Sequence, residues 1–304
     1  MRKYLFNPEN KFYKANLHCH TTVSDGCYTP EEIKKLYMNE GYSVVAFSDH
    51  DKVVPHPELL DDNFIPLTAG EYSLNDRSDK VCPWYTIRTY HLNFISKDIN
   101  NAQFLEWDKD IYDVPNVNRL IAKAADKGFM CQYNHPRWSM QTPENFIGLE
   151  NIFGFEVYNT ASEFDLFCGD GEYEYEVFCR AGGKSGATAN DDNHKPEHMF
   201  GGFTMLSAPS LGYDNVIKAL EQGDFYASRG PLIKEAFIED ETLYVKTSPC
   251  TKIGVFSDNR CHAAAFGENL EYAALKLDFP REYIRLVVED DRGRRAWTGA
   301  FFGI

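Results

Sequence analysis

The 304-residue chain reads as an α/β protein: a barrel built on a parallel sheet, followed by a small antiparallel β unit. Three observations predict this. Up to about residue 230, short apolar runs of strand type alternate with amphipathic helical stretches, the order that builds parallel sheets. Six of the nine histidines stand at the margins of those strands, mostly just after them, and β/α barrels carry their chemistry at the C-terminal face. From Pro231 the helical pattern stops and short alternating segments take over.

Residues 14–20 open the alternation as a strand. Thr29-Pro30-Glu31-Glu32 then reads as a helix start, with Thr29 as cap, Pro30 in the first turn and Glu32 closing a capping box. Ile33, Leu36 and Tyr37 give that helix an apolar face, and Gly41 ends it. Residues 43–47 form a buried-type strand that runs directly into Ser48-Asp49-His50-Asp51. The unit recurs more loosely. Strand 64–69 leads to Gly70-Glu71, strand 90–95 carries His91 after a long insertion (74–89), and helix 116–127 closes at Gly128. Strand 129–133 delivers Asn134-His135-Pro136-Arg137. Strand 153–159, helix 172–181 and strand 184–189 deliver Asn190 to His194, and strand 203–207 and helix 215–221 complete the series. Beyond it, segments 232–238, 243–247, 272–277 and 283–288 alternate, with turns at 239–241 and 291–293. The expected division is a domain of residues 1–230 and a β-sandwich-like domain of residues 231–304.

The formal net charge of -15 disfavours nucleic acid and anionic lipid, whose binding rests on Lys and Arg contacts to phosphate. No apolar run approaches the roughly 20 residues that cross a bilayer, and residues 1–9 lack the apolar core of a secretion signal. The eight cysteines are spread singly, without a Cys-x-x-Cys pair, as in a reducing compartment. A cytoplasmic protein is expected. Its expected partner is a small anionic substrate, with neither nucleic acid nor membrane; self-association into a homo-oligomer is left open.

Nine residues read as one metal-binding constellation: His18, His20, Asp25, His50, Glu71, His91, His135, Asp192 and His194. Imidazole and carboxylate together suit first-row divalent cations. His18-x-His20 is a chelate of strand type, because residues two apart on a strand share a face; Cys19 between them faces the other way. Asp192-Asn193-His194 repeats the geometry with mixed ligands, and Glu71 stands where a carboxylate can bridge two ions. Taken singly, each histidine is as well explained as a satisfied structural residue; the two spaced pairs together carry the reading. Arg137, near His135, and Lys195, next to His194, are candidates to clamp an anion. Asp49, Asp51 and Asn134 are candidates to orient ligating imidazoles.

The segments Leu17-His18-Cys19-His20-Thr21-Thr22-Val23-Ser24-Asp25-Gly26, Phe47-Ser48-Asp49-His50-Asp51, Gly70-Glu71, Asn134-His135-Pro136 and Asp192-Asn193-His194 resemble, in order, those of the PHP (polymerase and histidinol phosphatase) family. The resemblance spans roughly residues 12 to 230. It implies a distorted (β/α)7 barrel holding two or three divalent ions, zinc, manganese or iron. It further implies that one ion takes His18, His20, Glu71 and Asp192, a second Glu71, His91 and His135, and a third Asp25, His50 and His194. The stretch 223–231 and Ala296-Trp297 resemble a C-terminal extension of some PHP-like proteins, including relatives of carbamate and aryl-ester hydrolases.

The expected function is a metal-dependent phosphoesterase acting on a small phosphorylated metabolite, monoester or diester. A hydroxide held between cations attacks phosphorus, and the ions neutralise the developing charge. One alternative keeps the metals but cleaves an amide, carbamate or carboxylic ester. The other is a module without catalysis that binds metal or a partner.

Overall fold

The computed structural model describes residues 2–76, 88–106 and 111–304, so most of the insertion at 74–89 lies outside the described residues. In chain order the elements begin with β1 (Lys3–Tyr4), β2 (Lys11–Cys19), α1 (Pro30–Asn39), β3 (Tyr42–Phe47), β4 (Ile65–Asn75), β5 (Thr89–Ser96), α2 (Val114–Asp126) and β6 (Phe129–Tyr133). Next come α3 (Pro143–Phe146), β7 (Ile152–Asn159), α4 (Thr160–Leu166), α5 (Glu172–Arg180), β8 (Gly186–Asn190), β9 (Phe203–Ala208), α6 (Tyr213–Gln222) and β10 (Phe225–Ser228). The chain finishes with β11 (Ile233–Glu239), β12 (Thr242–Ser257), β13 (His262–Lys276), β14 (Tyr283–Glu289), β15 (Arg295–Thr298) and β16 (Phe301–Phe302).

Local chemistry sets the helices. Thr29 caps α1, its side chain accepting from the Glu32 amide at 3.3 Å while Glu32 accepts from the Thr29 amide at 2.9 Å. Asp113 caps α2 by accepting from the Asn116 amide at 2.7 Å, and Gly128 ends it at φ +82°. Among the described residues the strands pair into one mixed, sixteen-stranded sheet. Along β2-β3-β4 and β6-β7-β8 neighbours run parallel.

Two features depart from the expected parallel barrel. β5 is antiparallel to both β4 and β6. The sheet is also not closed: among the described residues no ladder joins β8 to β2, and β9 runs antiparallel beside β2 instead. The two sheet regions meet through an isolated bridge between Cys19 and Asn193, a bond from the Asp192 amide to the His18 carbonyl at 2.9 Å, and side chains. Asn190 Oδ1 accepts from the Leu17 amide at 2.8 Å, and Asn16 Oδ1 from the Asp191 amide at 3.0 Å.

The C-terminal strands are antiparallel, as expected, and continue the same sheet through the pairing of β10 with β15. They have an apolar cluster of their own that includes Val245, Ile253, Leu275, Leu286 and Val288. Leu5 and Phe6 join it, and β1 pairs with β11, so the first residues of the chain belong with the last strands. Trp297, 1% exposed, reaches instead into the cluster beneath α2 and α5.

Period-two alternation splits the buried strands between two layers. Tyr90, Leu92 and Phe94 of β5 pack with α2, while Ile95 joins Leu67, Ala69 and Met130 in another cluster. The face of Ile95 continues as Asn93 and His91, that of Met130 as Gln132 and Asn134, and that of Leu67 and Ala69 as Glu71. The β5 face thus climbs from an apolar floor through the buried amide of Asn93 to His91, the β6 face through Gln132 to Asn134, and the β4 face directly to Glu71.

Candidate metal centre

The strands bring all nine expected ligands into four overlapping groups whose donor atoms lie within 4.8 Å of one another. His18, His20, Glu71 and Asp192 form one; Glu71, His91 and His135 a second; His20, Asp25, His50 and His194 a third. His91 sits near the start of β5 rather than after a strand. Because β5 runs against β4, its beginning lies level with the ends of the parallel strands, opposite Ser73. His18 and His20 present their Nε2 atoms 3.2 Å apart, whereas Cys19 packs with Ile33 and Tyr37 beneath α1.

Local backbone detail aims these groups. A Cβ on Gly70 would meet the Lys52 carbonyl oxygen at 2.2 Å, so only glycine lets this strand end carry Glu71 so close to the 49–52 turn. His135 and Asp192 both adopt positive φ, +21° and +54°, a conformation that costs on the order of 1–3 kcal/mol in a non-glycine residue and recurs where function demands it.

Glu71 is the hub. Its Oε1 lies 3.2 Å from His18 Nε2, 3.0 Å from His91 Nδ1 and 3.4 Å from His135 Nε2. Its Oε2 lies 3.4 Å from His20 Nε2 and 3.0 Å from His50 Nδ1. Asp192 Oδ1 stands 3.1 Å from His18 Nε2 and 3.0 Å from His20 Nε2. The side chains of His18 and His20 are wholly buried and that of Glu71 is 1% exposed, whereas that of Asp25 is 55% exposed. The third group thus opens to solvent, with Asp25 3.6 Å from His194 Nε2 and 3.7 Å from His50 Nε2.

The electrostatics are those of a site built around positive charge. Burial pulls the His18 and His20 pKa values down, but Asp192 and Glu71 outweigh it; His18 ends well above its usual value and His20 rises to about 9. Burial pushes the Glu71 and Asp192 carboxyls up, and the surrounding histidines overcome this and hold both well below the carboxylate range. For His91 and His194 burial prevails over the nearby carboxylates and lowers the pKa, favouring the neutral ring that a metal requires.

The donor set fits divalent ions. Ligand atoms about 2.1 Å from a cation at tetrahedral angles stand roughly 3.4 Å apart, and the first group's spacings run from 3.0 to 3.4 Å. His20 Nδ1 and Glu71 Oε2 are buried without a hydrogen bond of acceptable geometry, although His50 Nδ1 is close to the latter. Two carboxylates and two imidazole nitrogens aimed at one another make a cation's coordination shell.

The supporting residues differ from those expected. Asn134 orients a carboxylate rather than an imidazole, donating to Glu71 Oε1 at 2.9 Å and to Asn93 Oδ1 at 3.0 Å. Asp49 holds the loop that carries Asp25, accepting from the amides of Thr21 at 2.9 Å and Ser24 at 3.1 Å. Sequence reasoning missed Glu156, buried on β7. Its Oε1 lies 3.3 Å from His18 Nδ1 and accepts from Asn190 Nδ2 at 2.9 Å, while its Oε2 accepts from the His135 amide at 2.9 Å. A carboxylate interrupting the apolar run Phe155-Glu156-Val157 was the available signal. Trp138 was missed as well: its ring centroid is 5.2 Å from His91 and 5.0 Å from His135, and it is 38% exposed. The two expected anion clamps are engaged elsewhere. Arg137 pairs with Glu174 at 3.0 Å and Lys195 with Asp165 at 2.8 Å.

No family model and no curated protein matches the chain. Among solved structures, it shares the fold of a two-domain protein from Bacteroides vulgatus containing a predicted PHP-like metal-dependent phosphoesterase. That match covers 96% of each chain at 14% identity and a TM-score of 0.50. An amidohydrolase from Chromobacterium violaceum with bound sulfate matches over 60% of this chain and 88% of its own at 14% identity (TM-score 0.38). The lesion-specific endonuclease PfuEndoQ from Pyrococcus furiosus matches over 70% and 56% at 11% identity (TM-score 0.42). The likeness extends to an α/β fold with a large mixed sheet, but the closed barrel that the PHP resemblance implied is not found among the described residues.

Proposed function

We propose that the chain is a metal-dependent hydrolase of the PHP type that cleaves a small phosphorylated substrate. The observation that carries this reading is the convergence on Glu71 of five imidazoles from separate parts of the sequence, with Asp192 facing two of them. Two or three divalent ions are proposed, held by the three groups built on Glu71, Asp192 and Asp25. Such ions supply Lewis acidity and acidify water at neutral pH.

The chain's own residues prepare that chemistry. Glu156 faces His18 Nδ1, so the proton stays there and Nε2 points its lone pair into the site. The Asp192 carbonyl 2.9 Å from His194 Nδ1 and the Ser139 hydroxyl 3.1 Å from His135 Nδ1 do the same for those rings. Asn134 fixes one carboxylate oxygen of Glu71 between the two buried groups. The exposed third group gives an anionic substrate its approach. Arg137 and Lys195 are proposed to bind the substrate's phosphoryl group by exchanging their partners Glu174 and Asp165 for it.

Trp138, flat and accessible beside His91 and His135, favours a leaving group with a ring, and aryl carboxylic esters are the rival substrates. The test is product release from a panel of aryl and alkyl phosphomonoesters, phosphodiesters and aryl carboxylic esters, with Mn²⁺ or Zn²⁺ restored. Turnover of phosphate esters is expected. Turnover confined to carboxylic esters would transfer the assignment to the rival class, and none with either metal would refute a hydrolase.

A further inference from the structure

Away from the metal centre, a cleft of about 550 Å³ lies between α5 and the C-terminal strands. Five arginines and three carboxylates line it, a cationic surplus on a chain whose net charge is -15. Its buried wall is Arg285 of β14, whose side chain is 4% exposed. One guanidinium nitrogen of Arg285 binds Glu176, but Nε and Nη1 make no hydrogen bond within the protein. A buried guanidinium with two unanswered donors is expensive. Arg285 also lines open space large enough for a small molecule.

The other cations fit the same occupant. Arg180 reaches Glu176 at 2.9 Å and Arg295 reaches Glu172 at 3.0 Å, so both line the cleft already oriented. Arg260, in the turn between β12 and β13, has no ion-pair partner within 4.0 Å among the described residues. Each carboxylate of the wall that faces an arginine is thus shared or matched, while donors of Arg260 and Arg285 remain free.

We propose that this cleft binds a small oxyanion, the phosphoryl or carboxylate end of a metabolite, between Arg285 and Arg260. The fork of a guanidinium suits either group, and the volume leaves room for the rest of the molecule. None of the candidate metal ligands lines the cleft, and although Arg137 borders it, the proposed site rests on Arg285 and Arg260 and does not depend on the function proposed for the metal centre.

Calorimetric titration of inorganic phosphate into the full chain, after exhaustive chelation so that no cation competes for it, tests the proposal, with malonate in a parallel series. One anion per chain is expected to bind. Arg260→Ala and Arg285→Gln are each expected to weaken it about tenfold or more, the loss of one charge-assisted contact. Phosphate without malonate marks a phosphorylated ligand, the reverse a carboxylate. Should Arg285→Gln fail to fold, Arg260→Ala decides alone, because it sits on an exposed turn. No saturable binding of either anion, or unchanged affinity in Arg260→Ala, overturns the site.

Discussion

Glu156 shows how one residue can govern a site without joining its inner ring. It is 1% exposed and touches His18, Asn159, Asn190 and the His135 amide, so it sets the ring orientation of one ligand and the backbone of another. In Glu156→Gln the shape survives but the charge facing His18 Nδ1 is gone. Removing such an outer partner costs about 10–100-fold in metal affinity. The variant should therefore bind the same number of ions at saturation yet surrender them to a competing chelator at that much lower concentration. Equal resistance to the chelator would reduce Glu156 to a packing residue. The contrast with His18 and His20 explains what the sequence discloses at this scale. A two-residue spacing of imidazoles is visible because strand geometry makes it meaningful, and Asp192-x-His194 echoes it. Glu156 stands alone among apolar neighbours, and its role appears only once β7 and β2 are seen to face each other.

Helices long enough to show a period were legible; the shortest were not, even where a cap marks their start. Thr29, Pro30 and Glu32 mark the start of α1, and both halves of the capping box form. Thr29→Ala should lower the stability of the chain by about 1 kcal/mol, read as a shifted midpoint in urea with an unchanged slope. An unchanged midpoint would mean that the cap is redundant with the packing of Ile33 and Tyr37. By contrast α4 is seven residues long and α3 four, too short for a 3.6-residue period to show. The direction of β5 was also hidden. Alternation tells which side chains share a face but is the same read forward or backward, so an antiparallel strand carrying His91 looks like a parallel one. The length of β12 and β13 escaped for another reason. Register shifts near Cys250 break their alternation, and much of β13 is exposed and polar.

At the scale of the molecule, the open seam and the metal centre are one problem. Among the described residues β8 and β2 share no ladder, and the bonds across the gap are an isolated bridge, the Asp192 amide to the His18 carbonyl, and a few amide side chains. Yet His18 and His20 come from the β2 side of that gap and Asp192 from the β8 side, with Asp192 Oδ1 within 3.1 Å of both imidazoles. Without a cation, stability there depends on protons shared among buried carboxylates and histidines. An ion coordinated by all three would bind the native arrangement and not the unfolded chain, and would hold the seam where hydrogen-bonded pairing does not. At a free metal concentration a thousandfold above Kd such binding adds about 4 kcal/mol, or roughly 5–10 °C in Tm for a chain of this size. Exhaustive chelation should therefore lower Tm by that amount, and hydrogen exchange should quicken first in β2 and β8, ahead of the C-terminal strands. The His18→Ala/His20→Ala variant should start from the lower Tm and ignore the chelator. If the parent is equally indifferent, or if the loosening begins in β12 to β15, the seam is held by its amides alone and the ions serve chemistry without serving the fold.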